Sequence, residues 1–290
     1  MKRLFLVVAA LAVMLVPASS ASATLTGPWA RFQQCPTANT AIDFCVYAES
    51  TSGSFTMGNK AVPIKTPVIL KGGTDFVEPE APLGAQNFYA PTDGQTLSKS
   101  PQPVPGGLTG VVAPSWWPQI LKDLFNETIN NGFTGVQATV ELAGPASSVK
   151  LVPQNILTQE GIALAMPVKV KLDNPFFGSN CYIGSNSNPI KLNLTTGTTS
   201  PPPPNTPITG SAGEFEGLEE FQIIALKENK LVDNSFSAPG ANGCGGFLFS
   251  WAVDPLVESI VGVPAAAGKN TAILQGTSYL GSAAYVRANK

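Results

Sequence analysis

The chain predicts a mainly-β fold: an antiparallel sheet sandwich or barrel-like sheet, with two short amphipathic helices and two disulfides. Three observations carry this. Apolar and polar residues alternate with period two over long stretches, most clearly in the middle of the chain. The 28 glycines and 26 prolines cut the sequence into many short elements. Four cysteines, Cys35, Cys45, Cys181 and Cys244, form an even set suited to an oxidising compartment.

The elements follow in order. Lys2 and Arg3 precede the apolar run Leu4–Val16, and Ala21-Ser22-Ala23 gives a small-x-small cleavage pattern. Residues 1–23 therefore read as a secretory signal peptide, and 24–290 as the exported mainly-β domain. The apolar run is shorter than the ~20 residues of a membrane helix, and no later stretch reaches that length. No transmembrane segment is expected after cleavage. Cys35 lies too far from the expected cut to be a lipoprotein's acylated residue, and the C-terminal segment carries no sorting tail. The expected destination is extracellular, released or loosely held at the cell envelope.

Four cysteines allow three pairings. Cys35–Cys45 brackets a Pro/Asn turn, and Cys181 and Cys244 sit in two Gly/Asn-rich loops, so this pairing is the favoured one. Closing the two loops is worth ~3 and ~4 kcal/mol respectively. A metal site is disfavoured, because there is no CxxC and no histidine to complete a shell.

In Gly161–Leu172 every even position is large and apolar, while the odd ones after Gly161 are Ala, Pro or Lys. That is one strand with a buried and a solvated face, and Pro167 suggests that it is an edge strand or bulged. Val136–Leu142 and Ile190–Leu194 alternate likewise. Strands solvated on one side belong to antiparallel sheets. Further candidates are 45–48, 54–57, 62–70, 221–227, 247–252 and 272–280.

Two helices are expected. Ser115–Asn131 places Trp117, Ile120, Leu121, Leu124, Phe125, Thr128 and Ile129 on one face, with Pro118 in the first turn and Asn131-Gly132 as the stop. Asp254–Val261 has Asp254 as N-cap and Pro255 at N1. Neither has the Lys/Arg-rich polar face of a basic membrane-surface helix, so both are expected to pack on the sheet. Trp117 is assigned to the core and Trp116 to the exposed side. The Pro/Thr-rich stretch 195–213, with Pro201–Pro204 inside it, reads as a stiff loop within the domain.

Charge and chemistry narrow the function. Charged residues are 12% of the chain. Removing 1–23 takes away Lys2 and Arg3 and no acid, moving the net charge from −2 to −4. No basic cluster is visible along the sequence, and nucleic acid is not an expected partner. The chain has no histidine, which removes Ser-His-Asp and Cys-His catalysis and His-ligated metals. Two routes survive. The carboxylates of Glu214, Glu216, Glu219 and Glu220 could serve a carbohydrate hydrolase, and Ser147-Ser148-Val149-Lys150 matches S-x-x-K without its companion motifs. A hydrated turn or strand lead-in explains the carboxylates more simply, and S-x-x-K is a short, common pattern. Asn126 and Asn193 open formal glycosylation sequons. No catalytic residue, cofactor or metal is assigned.

Three stretches together carry a resemblance. They are Cys35-Pro36 through Cys45 with Thr51–Phe55, Asn174–Gly184, and Val232–Phe236 through Asn242–Gly246. This combination resembles a group of uncharacterised secreted proteins of actinobacteria, over most of the mature chain. The resemblance implies export from a bacterium and carries no catalytic residues. The leading expectation is a non-enzymatic binding or structural protein of the envelope or extracellular space. The alternatives are a carrier of a small apolar ligand between the sheet and the Trp117/Leu121/Phe125 helix, or the His-free hydrolase.

Overall fold

Fourteen strands and four α-helices make up the described chain. The structure is a computed structural model that describes residues 23–76, 86–130 and 134–290. The predicted signal segment lies outside the described residues except for Ala23, as does the predicted Asn131-Gly132 helix stop. The first strands are β1 (Phe44–Met57), β2 (Lys60–Pro63), β3 (Val68–Thr74), β4 (Phe88–Tyr89) and β5 (Gln102–Pro103), followed by α1 (Gln119–Asn130). Then come β6 (Gln137–Leu142), β7 (Lys150–Leu151), α2 (Pro153–Thr158), β8 (Leu164–Asp173), β9 (Tyr182–Ile183) and β10 (Ile190–Leu194). The last part holds β11 (Glu214–Leu218), β12 (Ile223–Asp233), β13 (Ala241–Asn242), α3 (Gly246–Val261), β14 (Thr271–Ser282) and α4 (Ala283–Ala288).

Every strand pair is antiparallel, in two sheets and without a closed barrel. The first sheet runs β11-β12-β14-β1-β3-β4, with β2 also on β1. The second runs β13-β9-β8-β6-β5, with β7 and β10 also on β8. The main apolar core includes Val46, Phe55 and Leu231 from the first sheet and Met166, Val168 and Leu192 from the second. A smaller core lies on the other side of the first sheet, where Trp29 and Phe32 of a 3-10 turn meet Ile223, Ala283 and Val286.

The alternation in β8 has the expected result. Leu164, Met166, Val168, Val170 and Leu172 are all buried, and the residues between them are not. Pro167 does not mark an edge, however, because β8 is the centre of its sheet. The missing N–H falls where β6 ends: Leu142 opposite Val168 is the last β6 pair, and Ala143 N still donates to the Pro167 carbonyl at 3.0 Å.

Other boundaries moved. The stretches 45–48 and 54–57 belong to one strand, β1, with a register shift at Ser50/Ser52. At this bulge Gly53 adopts φ +118°, and a Cβ there would collide with the Ile273 carbonyl. The stretch 62–70 is split between β2 and β3.

The largest correction is at 247–252, expected as a strand, which is the first half of α3. The helix begins eight residues before the predicted N-cap, so Pro255 lies inside it rather than at N1. Its ring removes the bond to the Trp251 carbonyl and separates the helix into two halves.

Both disulfides form as favoured. Cys35–Cys45 spans 10 residues and Cys181–Cys244 spans 63. The first ties the N-terminal turn to β1, and the second ties the segment before β9 to the start of α3. The stretch 195–213 lies along β12. Thr195 and Val232 exchange backbone bonds, Ser211 and Lys230 do the same, and Thr199 N donates to the Ile208 carbonyl.

Candidate functional site

The feature that departs most from sequence expectation is where the apolar faces of α1 and α3 point. In α3, Gly245 to Val253 contains no charged residue. Phe247 is 98% exposed and Trp251 79%, with Leu248, Phe249 and Leu256 exposed beside them. In α1 the predicted sheet-facing side is open: Ile120 is 79% exposed and Leu121 is exposed as well. Trp116 is exposed as expected. Trp117 is not in the core but half-buried, edge-on to Phe125 at 5.7 Å between ring centroids. The expectation that these helices pack on the sheet is therefore overturned for α1, whereas in the predicted helix 254–261 Val257 and Val261 are buried; the exposed first half of α3 is the stretch expected as a strand. None of the cavities described below is lined by a residue of the 119–130 helix.

The exposed half of α3 is held firmly at its base. Gly245 and Gly246 both adopt left-handed φ, which lets the chain turn sharply into the helix. Gly245 N donates to the Phe177 carbonyl at 2.6 Å, next to the Cys181–Cys244 bridge. Asp254 does not cap α3. Its two carboxylate oxygens accept from Cys244 N at 2.7 Å and Gly243 N at 3.3 Å, fastening the loop to the helix. Glu258 accepts from Ala241 N at 3.1 Å, and Val257 and Val261 are buried. The aromatic half thus stands on an anchored half.

Both helices are near the same end of the sandwich. α3 contributes Val257, Ile260 and Val261 to an apolar cavity of about 40 Å³ between the sheets. The 3-10 turn Gly107–Thr109, on which α1 rests, contributes Gly107 and Leu108 to it. A second apolar cavity of about 50 Å³ shares the walls Met57, Val62, Ala138 and Val170. Voids of this size hold a few waters' volume and cost about 1 kcal/mol each in lost packing.

The hydrolase candidates are not brought together around a cleft. Glu214 and Glu216 lie on edge strand β11, where Glu216 pairs with Lys227 at 2.6 Å and holds that ammonium's pKa above its usual value. Glu219 and Glu220 lie in the exposed β11–β12 turn with left-handed φ, and none of the cavities described here is lined by the four carboxylates. In the S-x-x-K segment, Ser148 donates to the Pro145 carbonyl at 2.6 Å, while Lys150 leads into β7. Asn126 lies in α1. Asn193 is exposed on β10, and its backbone N–H donates to Asp233. Among the described residues, no group of His, Cys, Asp and Glu is arranged to hold a metal, and no helix is long and apolar enough to cross a membrane.

One site was not anticipated. A polar cleft of about 360 Å³ opens between the segment 90–99 and the end of β6. Glu141, only 15% exposed, sits in it with Lys99 at 3.9 Å and Lys169 at 4.0 Å. Lys169 also lies over the Tyr182 ring at 4.4 Å, and burial with the neighbouring Glu141 charge raises that phenol's pKa. The sequence signal was the Lys169/Lys171 alternation, whose outward face was read only as solvated.

The architecture defines a two-sheet, disulfide-tied antiparallel β protein with an exposed apolar helical end. No family model, curated protein or solved structure matches the chain.

Proposed function

We propose that the protein is an exported, non-enzymatic binding protein that attaches to the lipid surface of the cell envelope through α3 and α1. The observation that carries this reading is the uncharged, exposed run Phe247, Leu248, Phe249 and Trp251 on a rigidly anchored helix. Contiguous exposed apolar surface of this kind marks an interaction site. A protein partner is recognised by paired polar groups as well as apolar contact, and Gly245–Val253 has no charge to offer one. An acyl phase asks for none. With no basic residue on this run, attachment rests on apolar burial and not on anionic headgroups. Two disulfides support an oxidising, extracytoplasmic setting.

The test is flotation of the mature protein with neutral phosphatidylcholine vesicles. Wild type should float with the vesicles equally at low and high salt, and its tryptophan emission should shift to the blue. Phe247→Ser with Trp251→Ser should lower the partition at least tenfold, since each exposed aromatic brings ~1.5–3 kcal/mol of burial. Wild-type protein that stays in the aqueous fraction would refute the reading.

A further inference from the structure

Folding gathers lysines that are scattered in the sequence. In β8, Lys169 and Lys171 point away from the core, on the same face as Ala165 and Pro167. Lys150 of β7 stands opposite Ala165, and Lys191 of β10 stands opposite Pro167. Directly opposed residues of antiparallel strands share a face, so four lysines mark successive levels along β8. At ~3.3 Å per residue, this stripe is about 20 Å long. Lys99 reaches the same face at Glu141.

The acids there are Glu141 and Asp173, which leaves the stripe net positive in a chain whose overall charge is −2. Asp173 takes Lys171 at 2.6 Å. Glu141 stands outside hydrogen-bond distance of both its lysines, at 3.9 and 4.0 Å. Among the described residues, Lys150 and Lys191 have no ion-pair partner. The ammonium groups are therefore available to an incoming anion. The polar cleft opens at this edge, and its 360 Å³ is within the size range of small-molecule sites. Its walls alternate Leu97 and Leu142 with Gln95, Lys99 and Glu141. That mixture matches a sugar ring, which presents C–H faces and a rim of hydroxyls.

We infer that the outer face of the second sheet binds an acidic polysaccharide bearing carboxylates. The chain lies along the β8 lysine stripe, and one sugar residue sits in the Lys99/Glu141 cleft. The lysines take carboxylates, and Glu141 accepts from hydroxyls. Single-stranded nucleic acid is a poorer match, because it needs open rings for base stacking and Lys169 already covers Tyr182. This binding is independent of the lipid attachment proposed above and uses different residues.

The test is isothermal titration of the mature protein with polygalacturonate, with neutral dextran and a single-stranded RNA of similar length as controls. Wild type should bind polygalacturonate at low salt, lose that binding by about 0.5 M NaCl as the charges are screened, and ignore dextran. The triple variant K99Q/K169Q/K191Q should bind at least tenfold more weakly, at about fivefold per lysine, while still floating with neutral vesicles. Lys191→Gln alone, at an exposed site, gives the same sign should the triple variant fail to fold. Absence of wild-type binding, equal binding by the Lys191→Gln and triple variants, or tighter binding of RNA would each overturn the inference.

Discussion

Buried polar side chains do much of the joining in this chain, which has few charges to spare. Asn270 is fully buried. Its Oδ1 accepts from Gly58 N at 3.1 Å, and its Nδ2 donates to the carbonyls of Phe236, Ala265 and Ala266. Gln102 works similarly between distant segments, accepting from Lys65 N and Thr66 N and donating to the Thr66 carbonyl. Asn270→Ala leaves several buried backbone groups unpaired, and should cost about 3 kcal/mol in urea unfolding. Asp233 is a different case, because it is 2% exposed and accepts from Asn193 N at 2.7 Å and Ser235 N at 2.9 Å. Burial raises its pKa above the usual 3.8, with the two N–H donors pulling the other way. The folded protein thus holds this proton more tightly than the unfolded chain does. Its contribution is most favourable below pH 3.8, declines as pH rises through the folded value, and is flat above it. Asp233→Asn should remove that decline, so a stability–pH curve with unchanged slope in this window would refute the assignment. None of these roles is visible in sequence, since an Asn or Asp in a Gly/Pro-rich stretch looks like any other turn residue.

Elements differ in how plainly the sequence announces them, and the reason is physical. The strands β8 and β10 have one buried and one solvated face, so periodicity displays them almost to the residue. The two-residue strands β4, β5, β7, β9 and β13 are too short to show any period. The start of α3 reads as a strand in sequence because Phe247–Ala252 is apolar except at Ser250 and rich in aromatics, which periodicity cannot sort into helix or strand. Asp254-Pro255 reinforced the error by imitating a helix start. Tertiary bonds decide the matter: the Gly245-Gly246 turn, the Asp254 carboxylate on Gly243 and Cys244, and the disulfide all lie at its base. Reducing that bridge should therefore matter more than reducing the other. Cys181→Ser with Cys244→Ser should lose ~4 kcal/mol against ~3 for the Cys35/Cys45 pair. It should also raise amide exchange selectively in the first half of α3. Equal exchange in the two double variants would show that the helix base is held by its hydrogen bonds alone.

On the scale of the whole molecule, the sandwich separates three surfaces: an apolar helical end, the lysine-bearing outer face of the second sheet, and the outer face of the first sheet, covered by the terminal segments. Residues distant in sequence meet in each, which is why the class of fold was legible and the candidate sites were not. The aromatic run was visible in the sequence, but its exposure was not, and the lysine stripe exists only once strand register is known. The terminal cover is itself a long-range assembly: Trp29 stacks on Tyr285 at 4.0 Å, and Arg287 donates to the carbonyls of Thr37, Asn39 and Ile42. Between the sheets the packing is incomplete, with voids of about 40 and 50 Å³ meeting at Ala138. Voids so small leave no room for a lipid chain, so the apolar business of the molecule belongs to its surface. If that division holds, filling the interior should help stability without touching attachment. Ala138→Val adds two methyl-sized groups to the shared wall and suits a strand, so it should gain ~1 kcal/mol, or about 2 °C in Tm. Val170→Ala, which widens both voids, should lose ~2–3 kcal/mol. Neither should change flotation with neutral vesicles, whereas a drop in flotation for Ala138→Val would mean that lipid enters between the sheets after all.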